Sequence, residues 1–191
     1  MPPQHEEILD FWFGPNASAD YGSSRDVWFR KDALFDAAIR ERFGDAIETA
    51  LAGGFADWTS PQGFLARILL LDQFTRNSFR DTPRAFAGDA QALALAQGAV
   101  ALGHDQKLVA VERWFMYMPF VHAESESAQV RALSLFRALR DETGLADPLA
   151  WAERHAEIIR RFGRFPHRNA VLGRASTPEE IAFLAVPGSR F

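Results

Sequence analysis

Apolar residues recur along the chain at spacings of three and four, the signature of helices that bury one face. Phe35, Ile39, Phe43 and Ile47 follow one another in steps of four. Phe64, Leu65, Ile68, Leu69, Leu71 and Phe74 go most of the way round their helix, which predicts a central, buried element. An alanine-rich segment from Phe86 to Leu102 stops at Gly103, a residue suited to helix ends. Leu108, Val111, Phe115 and Met118 stripe the next helix. That helix is predicted to end at Pro119, because the residue before a proline is pushed out of the α region. Val130, Leu133, Phe136 and Leu139 mark a helix that Ser125 can cap and that closes near Gly144. Trp151, Ile158, Ile159 and Phe162 form the stripe of the one after it.

Start signals support the same reading. Ser60-Pro61, Thr82-Pro83, Asp147-Pro148 and Thr177-Pro178 each place a capping residue before a proline. Proline suits the first helical turn because its missing N–H would be unpaired there and its φ is already helical. Glu180, three residues after Thr177, completes a capping box. No Asn-Gly or Asp-Gly hairpin turn separates alternating segments, so sheets are not expected. The pattern predicts one all-α domain spanning residues 1–191, with eight or nine helices joined by short loops.

Composition narrows the function classes. The chain has 191 residues, 48% hydrophobic and 24% charged, the balance of an ordinary globular protein. Zero cysteines exclude disulfides, thiol catalysis and cysteine-ligated zinc. A net charge of -4 argues against a nucleic-acid partner, whose electrostatic counterpart is usually basic. No apolar run reaches the roughly 20 residues that span a bilayer, and the start MPPQHEE lacks the basic and apolar regions of a signal peptide. A cytoplasmic protein without a membrane partner is the expectation. The 17 phenylalanines and five tryptophans gather in Phe11-Trp12-Phe13, Trp28-Phe29 and Trp114-Phe115-Met116-Tyr117. They either line a ligand groove or fill the space between alanine faces.

Three polar groups carry candidate chemistry. Asp72, Gln73, Arg76, Asn77 and Arg80 form the first. Asp72 falls on the apolar stripe of its helix, and Arg76 follows at the i+4 position that pairs with it. Such a pair either fixes helix orientation from inside or, with Arg80, presents guanidinium groups to an anionic ligand. His122, Glu124 and Glu126 form the second, at a corner between helices. A histidine with carboxylates can run acid–base chemistry, although acids at a helix start are also favoured by the dipole. No HExxH or three-ligand spacing accompanies them, so no metal is expected. The third is the stretch RRFGRFPHRNAVLGR from Arg160 to Arg174. Between Glu157 and Glu179 lie five arginines, one histidine and no acid. They suit phosphate or carboxylate recognition, or they neutralise nearby acids and cap helix ends. His155, on an apolar stripe, is read as a hydrogen-bonded core residue.

The stretches LLLDQFTRNSFRDTPRAFAGD, ERWFMYMPFVHAE and RFGRFPHRNAVLGRASTPEE, with ILDFWFG and WFRKDALFDAAIRERF upstream, extend over nearly the whole chain. Together they resemble a widespread bacterial family of uncharacterised proteins with a tetratricopeptide-like helical fold. Thr75 stands where the resemblance leads one to expect proline, which relaxes a helix bend, and Ala123 stands where it leads one to expect serine, which removes a hydroxyl. The resemblance implies a right-handed stack of antiparallel helix pairs and no established activity. Helical stacks generally bind peptides or partner proteins on concave surfaces. Two readings follow. The first is a binding module that takes an anionic small molecule or an acidic segment of a protein partner, with Asp72, Gln73, Arg76, Asn77, Arg80, Arg164, Arg168 and Asn169 as ligand-binding residues. The second is an enzyme for a small anionic substrate, in which His122 or His167 transfers a proton and Glu124 orients it. Neither calls for a cofactor. The second requires the three polar segments to converge.

Overall fold

The computed structural model describes residues 4–189, so the first three residues of the MPPQHEE start lie outside the described region. Among the described residues there are nine α-helical segments and no strand. They are α1 (His5–Phe13), α2 (Ala33–Leu51), α3 (Pro61–Leu69), α4 (Thr75–Ser78), α5 (Asp89–Ala101), α6 (Ala110–His122), α7 (Glu126–Thr143), α8 (Asp147–Phe162) and α9 (Pro178–Leu184). A π turn at Leu70–Phe74 joins α3 to α4 without a break, so these two form one irregular rod. Such turns are rare and concentrate at functional sites.

The capping signals work where a side chain reaches the first turn. Ser60 Oγ accepts from Gly63 N at 3.0 Å, and Ser125 Oγ accepts from Ala128 N at 3.4 Å. Thr177 and Glu180 make both bonds of the capping box. The other two signals differ. Thr82-Pro83 opens a 3-10 turn at Pro83–Phe86, and α5 begins only after Gly88. Ala146 caps α8, which places Asp147 inside the helix.

The core explains two further differences. Val130 and Trp151, expected on buried stripes, are 63% and 43% exposed. The inward positions of α7 are taken by Ala128, Ala132, Leu135, Phe136 and Leu139, and those of α8 by Leu149, Ala152, His155, Ile158 and Ile159. Small alanines, which carry little weight in a hydrophobic pattern, set the true inner faces.

Pro119 does not end α6, which continues to His122. The carbonyls at this end are collected by one buried amide: Gln129 Nε2 donates to Val121 O at 2.7 Å and to Ala123 O at 2.9 Å. The last residue of α6 is thereby held in place.

One apolar cluster draws on α1 to α3, the π turn and α5 to α8. Its densest part is aromatic. Trp12 meets Phe115 edge-on at 5.3 Å and Phe74 at 5.5 Å, while Trp28 meets Phe115 at 4.7 Å. Trp12, Phe13, Trp114, Phe115, Met116 and Tyr117 are buried, so most of the aromatic triplets fill space and Phe29 alone among them is exposed. A smaller cluster of Ile158, Ile159 and Phe165 seals α8 against the segment leading to α9. No helix among the described residues is long and apolar enough to cross a membrane.

Candidate functional site

A polar cluster lies where the π turn, the start of α5 and the end of α6 come together. Gly88 makes this approach possible: a Cβ there would sit 2.2 Å from the Leu71 carbonyl oxygen, well inside contact distance. Only a residue without a side chain lets α5 start against the π turn. Asp89, the first residue of α5, is thereby brought to Arg76. On the π turn itself, Thr75 Oγ1 donates to Leu71 O at 2.8 Å and Asp72 O at 3.1 Å, occupying carbonyls of the distorted turn.

Asp72 has no solvent exposure. Its Oδ1 lies 2.8 Å from Arg76 Nη1 and 2.7 Å from His122 Nδ1, and its Oδ2 accepts from Gln73 Nε2 at 2.6 Å. Burial opposes its ionisation, yet the Arg76 guanidinium and His122 outweigh that and hold the carboxyl far below its usual range. For Arg76 burial likewise opposes the charge, and the Asp72 and Asp89 carboxylates overcome it, so the pKa is raised. With Asp72 ionised, His122 Nδ1 carries the proton toward it and Nε2 is the basic atom. Nε2 makes no hydrogen bond among the described residues. The imidazole pKa is lowered by burial and by Arg76, against the pull of Asp72.

Arg168 supplies the second guanidinium. It is 6% exposed and lies between the rings of Phe86 and Phe165, 4.6 Å from each centroid. Its Nη2 donates to the His122 carbonyl at 3.0 Å and its Nη1 to Asp89 Oδ2 at 3.1 Å. Arg76 Nη2 donates to the same Asp89 oxygen at 3.0 Å. Two guanidiniums thus share one carboxylate oxygen. Burial and Arg76 push the Arg168 pKa down to about 10, and its buried Nε has no hydrogen-bond partner among the described residues. His155 completes the floor, its ring 6.2 Å from that of His122 and 5.5 Å from Phe165.

Asp72, Arg76, His122 and Arg168, from three separate stretches of sequence, therefore meet in one place. The other candidates are engaged elsewhere. Arg80 and Asn77 both turn to Asp36, with Arg80 Nε 2.5 Å and Asn77 Nδ2 2.8 Å from its carboxylate oxygens. Arg80 is therefore not a second guanidinium beside Arg76. Arg164 makes a fork with Glu180 at 2.7 and 2.8 Å. Asn169 donates to Ser176 Oγ and Glu180 in the same group. Glu124 is held by Arg174 at 2.6 Å and by the Phe165 N–H at 2.7 Å, so Asp72, not Glu124, is the carboxylate on His122. The His167 ring lies tilted against Phe165, 5.6 Å between centroids and next to the cluster, and burial pushes its pKa down to about 4.

Sequence reasoning missed Asp89, Gly88 and Phe86. Their only trace was their place in the stretch that runs from Leu69 to Asp89, since no local spacing joins them to Arg76 or Arg168. Three surface clefts lie apart from the cluster: about 350 Å³ between α5, α6 and α7, about 310 Å³ between α2, α3 and α5, and about 500 Å³ between α8 and α9. Among the described residues, no group of three or more His, Cys, Asp or Glu is arranged to hold a metal ion.

Residues 8–188 match the family model described as "Bacterial protein of unknown function (DUF924)". The solved structure "Structure of Protein of Unknown Function ATU0120 from Agrobacterium tumefaciens" is 42% identical. Its TM-score is 0.83, and the alignment covers 95% of this chain and 96% of that one. A search of curated proteins finds no match.

Proposed function

The chain belongs to this bacterial family of unknown function, DUF924, and from its geometry we propose that it is a helical binding module for a small anionic ligand. The ligand sits against Arg76, Arg168 and His122. One observation carries this reading: two guanidiniums, that of Arg168 buried and that of Arg76 mostly so, converge on a single oxygen of Asp89 beside an imidazole nitrogen that has no hydrogen bond among the described residues. Paired arginines with a rigid fork are suited to carboxylate and phosphate groups. The Asp89 carboxylate that the pair already holds supports that ligand chemistry. Gln73, Asn77, Arg80, Arg164 and Asn169 support the surroundings and do not touch the ligand in this reading. The cytoplasm is the compartment we assign to it. The fold is read as a tetratricopeptide-like stack, supported by the serial packing of α5 on α6, α6 on α7 and α7 on α8, with α6 also reaching α8.

A thermal-shift and calorimetric screen of small carboxylates and inorganic phosphate tests the site. A ligand at 100 times its dissociation constant stabilises the folded protein by about 2.7 kcal/mol. The wild type is expected to respond, and Arg76→Lys, which keeps the charge but loses the fork, is expected to respond weakly. No response of the wild type to either anion class overturns the reading.

The Asp72–His122 pair favours a second reading. A buried carboxylate that fixes Nδ1–H and leaves Nε2 basic is the arrangement of a general base, here beside two groups that could hold an anionic substrate. His122→Gln keeps a hydrogen bond to Asp72 while removing the base. Turnover of a carboxylate or phosphate ester that His122→Gln abolishes, with ligand binding retained, would establish catalysis over binding alone.

A further inference from the structure

We infer that an anion entering this cluster brings a proton with it, taken up at Nε2 of His122. The inference rests on the anion-binding reading and adds its charge balance. Before binding, the charges cancel: Asp72 and Asp89 carry one negative charge each, Arg76 and Arg168 one positive charge each, and His122 is neutral. An incoming monoanion leaves one negative charge uncompensated. In a buried site such a charge is costly, and the group that removes it at least cost takes a proton.

The groups facing His122 settle which one that is. Asp72 on the π turn, Arg76 on α4 and Asp89 on α5 bear on its ring electrostatically. His155 on α8 and His167 in the 3-10 turn Pro166–Arg168 also lie against the site. Glu124, in the loop after α6, is already held by Arg174. Burial pushes the pKa of His155 down to about 3 and that of His167 down to about 4, so neither accepts a proton near neutral pH. His122 differs because its Nδ1 already lies against a carboxylate that favours imidazolium. Arg168 holds the His122 carbonyl, and Gln129 holds the carbonyls on either side of it, so the ring does not need to move to receive the proton.

The sign is fixed by the direction of the shift. In the free protein the His122 pKa lies below its ordinary value, so the ring is neutral at pH 7.5. The bound anion raises it. Between the free and bound values, affinity falls about tenfold for each pH unit as one proton must accompany each anion. Below the free value the ring is already charged, and affinity becomes independent of pH.

The experiment uses the full chain, sodium acetate as the non-titrating carboxylate and sodium chloride as the ionic-strength control. The His122 imidazole is followed by NMR through a pH titration with and without acetate, assigned by its loss in His122→Gln. The expected result is binding that raises the His122 pKa by about one unit or more, equivalent to roughly tenfold tighter binding to the protonated form. Calorimetry at pH 7.5 in buffers of different ionisation enthalpy should show net uptake of a fraction of a proton, rising as the pH is lowered toward the bound pKa. Asp89→Asn sharpens the result: with one carboxylate charge gone, acetate should bind without proton uptake. Binding that leaves the His122 pKa unchanged overturns the inference and leaves the anion site standing. Absence of acetate binding overturns the inference, and failure of inorganic phosphate to bind as well overturns the anion site with it.

Discussion

Two buried regions meet on the rod formed by α3, the π turn and α4, and they are built on opposite principles. Phe74 enters the aromatic cluster, 5.2 Å from Phe43, 5.5 Å from Trp12 and 6.0 Å from Phe11. Asp72, two residues earlier, enters the polar cluster with Arg76 and His122. Neither side chain has any solvent exposure. In the first region rings gain by leaving water and by edge-to-face contact, and no one partner is indispensable. In the second every member is held because charges out of water are costly unless each finds its counterpart. The difference teaches where function can reside. A core of rings needs only volume, whereas a buried network with an open imidazole nitrogen and a donor that lacks a partner exceeds what stability asks for.

The sharpest way to break this comparison is to remove one residue from each side. Phe74→Ala should cost about 3–5 kcal/mol through the cavity it leaves. Asp72→Ala should cost about the same, on the order of 3–5 kcal/mol, by leaving Arg76 and His122 without their shared carboxylate. Acid separates them. The folded-state pKa of Asp72 is depressed below its unfolded value of about 3.9, so its contribution is present above that value and is lost as pH falls toward the folded one. Denaturant midpoints measured at neutral pH and near pH 3 should show the Asp72→Ala deficit shrinking while the Phe74→Ala deficit holds. A Phe74→Ala loss under about 1 kcal/mol would mean the aromatic region is not the core it is taken to be.

Gly88→Ala probes the seam between the regions. The added methyl meets backbone, the Leu71 carbonyl at 2.2 Å, and a carbonyl in a π turn has little room to yield. Destabilisation of about 2–3 kcal/mol is expected from overpacking, along with loosening of Asp89 from Arg76. The melting temperature reads the first effect. A weakened response to acetate reads the second, and a variant as stable as wild type would show that α5 does not depend on this approach.

How much of this was legible in the sequence depended on distance along the chain. The caps at Ser60, Ser125 and Thr177 act within three residues, and each was readable from its own neighbourhood. The Asp72–Arg76 pair was readable for the same reason, being one helical turn apart. Asp72 with His122 spans 50 positions, and Arg80 with Asp36 spans 44. No local pattern carries such pairings, so Arg80 was placed beside Arg76 when its partner lay on another helix. Pro119 misled because the donor that sustains the end of α6 comes from Gln129, on the next helix. Val130 misled because α7 turns its alanines inward. The π turn had no signature of its own: it reflects the approach of Gly88 and the hydroxyl of Thr75, which together make an irregular rod habitable.

That hydroxyl offers the smallest and most local change. Thr75→Val keeps the shape of the side chain and removes the donor to Leu71 O and Asp72 O. Two carbonyls in a buried, distorted turn then lose a partner, which should cost about 1–2 kcal/mol. Thr75 directly follows Phe74 of the aromatic cluster and lies three residues from Asp72, so the loss tells which region the turn serves. If the π turn exists to aim Asp72, Thr75→Val should speed amide exchange across Leu70–Phe74 and weaken acetate binding, while the packing of Trp12 against Phe115 stays as it was. Loss of aromatic packing with unchanged acetate binding would assign the irregular turn to the core instead. A midpoint and exchange pattern identical to wild type would show that those carbonyls are satisfied without Thr75, and that its hydroxyl has no part in holding the site.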